Sequence, residues 1–189
     1  MKIRLPHISR WIVLEGDAEA VQLYSVKKQI IKLLEKSRQQ QILLHMRSTG
    51  GDLPAATGFY QWVKYFNIPL ITLAMGEIAS AGVCIFLSGT RRYALPDTYF
   101  YFHHPESDST VKMTQVMIEA EARGLRLYTN VMKRIIVKET RISQRNAANL
   151  LSSVNYIPET KALEMGIIHT ILSREAPVKQ SVLRLLHSR

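Results

Sequence analysis

A chain of 189 residues, 47% hydrophobic and 21% charged, has the length of about one domain and enough apolar content for a sizeable core, which excludes a disordered chain. Its net charge of +10 raises nucleic acid as a partner. However, the basic residues are spread along core-patterned segments such as KKQIIKLLEKSRQQQ, with no zinc-finger spacing, aromatic RNA-binding signature or arginine-rich arm, so none is expected. Apolar runs break before ~18 residues, so no membrane span is expected, and the N-terminus lacks the apolar core and cleavage site of a secretory signal. A lone Cys84 precludes an intramolecular disulfide framework and fits a reducing, cytoplasmic setting.

In chain order, WIVLEG reads as a strand, with Asp17 as the cap of a following helix. Val21, Leu23, Val26, Ile30, Leu33 and Leu34 recur at helical spacing and carry that helix to about Gln40. QILLHM is a second strand, LPAATGFYQWVKYF a second helix and PLITLAMG a third strand. A third helix follows Ser80, and TYFYFHH is another strand. This alternation predicts a parallel sheet with helices on its faces.

After Pro105 the pattern changes. ESDST reads as a polar turn, and a long helix is predicted from about Val111 to Glu139, interrupted by Gly124. SQRNAANLLSS and ETKALEMG predict two short helices, the second ending at Gly166. IIHTIL is a last strand, and residues 173–189 form a polar tail with a short leucine-bearing helix. A single domain over 1–189, with its core at about 10–172, accounts for the whole pattern.

Chemistry concentrates where apolar strands end, the place at which open α/β sheets collect ligands. HMRSTGGD ends a strand in a Gly-Gly pair, which lets backbone N–H groups turn toward a bound atom. GEIASAGV places Ser80 at a helix start. A third strand end carries His103 and His104. A serine, an imidazole and free backbone donors are the parts acyl transfer requires. Each part also has a plain structural use: a turn, a close-packed serine, a histidine satisfied in the core. The two histidines lack partners at metal-ligand spacing. Cys84 sits in an apolar run and reads as a core residue.

Four segments, in order, resemble the proteolytic subunit of the Clp (caseinolytic) protease family. RSTGGD resembles the family's N-S-P-G-G turn, and MGEIASAG its M-G-x-A-A-S-M-G nucleophile turn, with no gap between them. RRYALPDTYFYFHHP resembles K-R-x-x-L-P-N-x-x-x-x-I-H-Q-P, and ETKALEMGIIHTIL resembles E-A-x-E-Y-G-L-I-D. The resemblance implies a crotonase-like α/β fold with a long handle helix, and a serine endopeptidase that acts through an acyl-enzyme without metal or organic cofactor. It makes Ser80 the nucleophile and His103, rather than His104, the general base. The N–H groups of Gly51 and Ala81 would form the oxyanion hole. It further implies a homo-oligomeric ring acting on peptide or unfolded protein, with an ATPase unfoldase as a possible partner.

Three departures from the family pattern stand out. The triad aspartate falls on Val154, which cannot orient an imidazole; Asn155, next to it, carries a carbonyl that could. The family's glycine-rich substrate strand is replaced by ESDSTVKMTQ. The segment before the first strand, which forms the family's axial loops, is short. These departures keep open a catalytically weak ring subunit with an assembly or gating role. An acyl-CoA enzyme of the same fold is a further alternative, although it has no need of a Ser-His pair at these turns.

Overall fold

The computed structural model describes residues 8–106 and 112–172. Strands β1 (Trp11–Asp17), β2 (Ile42–Gly50), β3 (Leu70–Ala79), β4 (Arg91–Ala94) and β7 (Thr170–Ile171) lie side by side in that order, all parallel. Strand β5 (Tyr99–Phe102) pairs parallel with the end of β3, and β6 (Asn155–Pro158) closes against β5 as an antiparallel partner. The helices are α1 (Ala20–Lys36), α2 (Leu53–Tyr65), α3 (Ala81–Leu87), α4 (Gln115–Glu139), α5 (Gln144–Ser152) and α6 (Glu159–Glu164).

Side chains of β2 alternate between two cores, as strand geometry demands. Ile42, Leu44 and Met46 join one large cluster that also takes Leu23 of α1, Phe59 of α2, Met132 of α4, Ala147 of α5, Ala162 of α6 and every side chain of α3 from Ala81 to Leu87 apart from Gly82. Leu43 points the other way, with Ile71, Leu73 and Tyr93, against Trp11, Met75, Leu95 and Leu172. All six helices thus bury their apolar stripes in one cluster. The expectation of helices on both faces is corrected: among the described residues, strand and loop side chains make the second, smaller cluster.

Boundaries shift where side chains capture backbone groups. Asp17 does not cap α1. It ends β1 opposite Gly50 and its carboxylate takes the Thr49 hydroxyl, so α1 starts three residues later behind Glu19. The helix stops at Lys36, short of Gln40, because the buried Arg10 guanidinium binds the carbonyls of Leu33, Ser37, Gln40 and Gln41. Helix α4 begins at Gln115 behind a Thr114 cap, whose hydroxyl accepts the Met117 N–H, and it passes Gly124 unbroken. Val111, the predicted start, most of the ESDST turn and the tail from 173 lie outside the described residues. The last strand contracts to Thr170–Ile171, and β5 ends at Phe102, before the histidines. Strands β4 and β6 were not anticipated: RRYA carries two arginines and NYIP ends in proline, so neither shows a strand's apolar signature.

A second buried arginine ties the long helix to the sheet. Arg92 of β4 is 4% exposed and donates to the carbonyls of Gly89, Glu139, Gly166 and Ile167. The Glu139 carboxylate also takes Lys64 at 2.8 Å and the Tyr60 hydroxyl at 2.6 Å. One cluster of charge thereby joins α2, the end of α4, β4 and the turn after α6. Arg92→Ala would leave those carbonyls buried without donors and Glu139 without one of its cations. The expected loss is about 3 kcal/mol or more of unfolding free energy, read from a urea titration.

Candidate active site

Strand β3 changes partners part-way along its length. Ile71–Ala74 pair with β4, whereas Glu77–Ala79 pair with β5. Between them lies Gly76 at φ +75°, and the ladder to β2 jumps from Met46–Ala74 to Ser48–Ile78. This bend carries the end of β3 onto β5, where Ala79 lies opposite Tyr101.

Ser80 is the next residue. Its backbone has φ 50° and ψ −123°, the geometry of the first central residue of a type II′ turn, a position that favours glycine. Holding a residue with a side chain there costs about 1–3 kcal/mol. The surroundings fix it: the Ser80 N–H donates to the Tyr101 carbonyl at 2.9 Å and its own carbonyl accepts the Val83 N–H at 3.0 Å. Ala79 and Ala81 on either side are buried, while Ser80 itself stays partly exposed. The result is a sharp strand-to-helix turn that pushes a hydroxyl outward. Among the described residues that hydroxyl has no hydrogen-bond partner.

The end of β2 forms the facing wall. A Cβ on Gly50 would lie 2.8 Å from the Ser80 Cβ, and one on Gly51 would lie 2.8 Å from the Ala18 nitrogen. Both residues have positive φ, +116° and +125°. The Gly50 carbonyl accepts the Ala18 N–H, which anchors this turn to the end of β1. Buried Ser48 supports it from below by accepting the Gly50 N–H at 3.3 Å. The Gly51 N–H donates to no acceptor among the described residues. The Ala81 N–H opens α3, where the first amides of a helix have no partner in the preceding turn.

His103 lies two residues past the Tyr101 carbonyl that holds Ser80. Its ring stacks on the Tyr101 ring, with centroids 5.1 Å apart and planes 19° apart, and its Nδ1 lies 3.6 Å from Glu106 Oε1. His104 is exposed, and its Nδ1 lies 2.9 Å from the Pro105 carbonyl. Ser80, Gly51, Ala81 and His103 are thus gathered at the ends of β2, β3 and β5, with no hydrogen bond joining Ser80 to either imidazole. Cys84, one turn further on, is fully buried, and burial pushes its thiol up to about 12, so it is no competing nucleophile.

The β5–β6 ladder shows what stands where an acid was sought. Phe102 pairs with Asn155 and Tyr101 with Tyr156, the latter two rings 4.7 Å apart. Asn155 therefore belongs with Phe102, on the face opposite Tyr101 and Tyr156. Its amide nitrogen donates to the carbonyls of Leu150 and Ser153. Val154, which follows in the direction of His103, is 62% exposed and has no polar side-chain atom. Among the described residues, no three of His, Cys, Asp and Glu cluster as metal ligands would. Sequence reasoning missed Gly76, Tyr101 and Glu106. The Gly-Gly pair was visible as letters, but the close approach of Gly50 to Ser80 was not.

Comparison with known proteins gives a consistent picture. A family model described as Clp protease matches residues 6–175. The chain is 26% identical over 170 residues to an ATP-dependent Clp protease proteolytic subunit 2 from Treponema pallidum, covering 89% of this chain and 84% of that one. It is 27% identical over 154 residues to an ATP-dependent Clp protease proteolytic subunit 1 from Tropheryma whipplei, covering 80% and 74%. The fold matches the solved structure of a ClpP1 mutant from Listeria monocytogenes with a TM-score of 0.77 at 23% identity, over 90% of this chain and 95% of that one.

The contact between Gly50 and Ser80 can be probed through stability alone. Gly50→Ala puts a Cβ against the serine at a positive φ and is expected to destabilise by about 2 kcal/mol or more. Gly58→Ala, in the middle of α2 with nothing within 4 Å of its new Cβ, should stabilise by about 0.5–1 kcal/mol. Paired denaturant titrations test both signs.

Proposed function

The chain belongs to the Clp protease family, with its crotonase-like α/β fold and long helix, and from that premise we propose that it is a serine-type endopeptidase whose nucleophile is Ser80. The observation that carries this is the Ser80 backbone itself. A strained turn at φ 50°, held by the Tyr101 carbonyl of the neighbouring strand and faced by Gly50, has a structural cost and leaves a partly exposed hydroxyl at the same strand ends as His103.

In the reaction, the His103 imidazole takes the Ser80 proton through Nε2 as Oγ attacks the substrate carbonyl. The N–H groups of Gly51 and Ala81 stabilise the oxyanion. The imidazolium then protonates the leaving amine, and the acyl-enzyme is released by water through the reverse sequence. Because the Ser80 hydroxyl has no hydrogen-bond partner among the described residues, His103 must close on it when substrate binds, as catalytic hydrogen bonds often tighten only in the complex.

The relatives' names describe ATP-dependent proteolytic subunits. We extend from those names to a ring of identical subunits acting on unfolded protein in the cytoplasm, with an ATPase as a possible partner. Helix α4 supports an assembled form. Its last two turns bury Met132, Ile135 and Ile136, while Val116, Ile118 and Leu127 stand 55–72% exposed. Ile135 and Val131 pack in the chain's own core, whereas Ile118 and Leu127 stand exposed. Sedimentation should give a mass several times 21.6 kDa. A monomer at working concentration would refute the ring.

One observation favours a second reading, a weakly active subunit serving assembly: the apolar, exposed Val154 gives His103 no acid. A fluorophosphonate probe separates the two, since only an activated serine is acylated. Labelling is expected on Ser80, lost in Ser80→Ala with folding unchanged and reduced about 100-fold or more in His103→Ala. His104→Ala should lower it only slightly. Absence of label on the folded, assembled protein would favour the second reading.

A further inference from the structure

A histidine that acts as general base through Nε2 must carry its own proton on Nδ1, and that tautomer is set by whatever Nδ1 faces. An unpartnered imidazole favours the opposite tautomer, with the proton on Nε2, which cannot accept from serine. The groups around His103 can be taken in turn. Tyr101 lies flat against the ring and offers a π-face, not an acceptor in the ring plane. Tyr156 packs on Tyr101 and is likewise an aromatic ring rather than a carboxylate. Val154 has nothing to offer, and Asn155 belongs to the opposite face with its amide nitrogen already engaged. Among the described residues Glu106 is the carboxylate in range, and the nitrogen it approaches is Nδ1, at 3.6 Å from Oε1.

The structure assigns Glu106 as the positioning residue of His103: a carboxylate three residues along the same segment that holds the imidazole with Nδ1 protonated and leaves Nε2 free for Ser80. The assignment rests on the peptidase reading above for its role in catalysis, though not for the pairing itself. Pro105 lies between the two residues, and its ring restricts the segment, which favours the turn that brings residue 106 back toward residue 103. Stacking on Tyr101 keeps the imidazole plane fixed while the carboxylate approaches its edge. The separation is slightly longer than a hydrogen bond, and a small side-chain rotation closes it. Glu106 is 75% exposed, so its pull is partly screened by water. An acid so placed orients the base more weakly than a buried one.

The test uses the full-length chain, 15N-labelled at histidine, in wild-type, Glu106→Ala and Glu106→Asp forms. It reads two quantities: the 15N shifts of the His103 ring, which report its tautomer, and the rate of fluorophosphonate labelling of Ser80. Wild type is expected with Nδ1 protonated. Glu106→Ala should move the population toward the Nε2-protonated tautomer and slow labelling about fivefold, the scale of an exposed charge pair. Glu106→Asp should restore part of both. Because Glu106 is exposed and packs against no core, folding is unaffected, and a circular dichroism melt verifies it. An unchanged tautomer in Glu106→Ala overturns the assignment, whatever the labelling rate does. A shifted tautomer with wild-type labelling overturns the catalytic role. If wild type is never labelled but shows a tautomer that depends on Glu106, the pairing stands and the peptidase reading fails.

Discussion

The architecture of the site depends on one backbone constraint: β3 must leave β4 and join β5 before it ends. The bend at Gly76 achieves this, and it sets where Ser80 meets the end of β5. Had β3 continued straight beside β4, Ser80 would have had no Tyr101 carbonyl to bind and no reason to hold a positive φ. Strain at Ser80 is tolerable because it is over-determined by a hydrogen bond on each side, by buried alanines and by a glycine that clears its Cβ. A small local penalty is offset by the packing of α3, whose seven residues are all buried directly behind the serine.

The basic composition has a structural side as well. Two arginines act as internal backbone caps rather than as surface charges. Arg10 gathers the carbonyls at the end of α1, and Arg92 gathers those between α4, α6 and β4. A planar guanidinium suits both places because it presents several donors in one plane without requiring a carboxylate for each. Glu139 completes the second cluster and joins it to α2 through Tyr60 and Lys64. Burial beside this carboxylate pushes the Tyr60 hydroxyl well above its ordinary pKa, so it remains a donor. The end of α4 is thereby fixed to the sheet, while Val116, Ile118 and Leu127 earlier in the helix stay largely exposed among the described residues.

The two faces of the β5 segment have different physical characters. Phe100 and Phe102 face the large core and are fully buried. Tyr99, Tyr101 and Tyr156 form an aromatic group on the other face, and His103 continues that group past the strand end. An imidazole stacked in this way has a fixed plane but not a fixed proton, and only a group at the ring's edge can supply the second. That division of labour follows from ring geometry and makes the chain around residues 101–106 a unit.

Much of this was legible in the sequence, and the rest was not, for physical reasons. Period and apolar runs located β1, β2, β3, β5 and all six helices, because burial of a face leaves a periodic mark on the chain. Ordered motifs identified the family and singled out Ser80, His103, Gly51 and Ala81. What the sequence could not carry was pairing. Strands β4 and β6 are only four residues long, one opening with two arginines and the other ending in proline, and only their hydrogen-bonded neighbours make them strands. Asp17 has the letter of a helix cap, yet Thr49 competes for its carboxylate once β1 and β2 are side by side. Nothing local in MGEIAS says that β3 will change partners at Gly76, since the bend is settled by β4 and β5, fifteen or more residues further on. Asn155 stood next to the expected acid by residue number, but strand alternation turned it to the opposite face. Glu106 looked like one polar residue in a turn until the fold brought it within 3.6 Å of an imidazole. Local propensity decides what an element is; only tertiary contact decides what its side chains face.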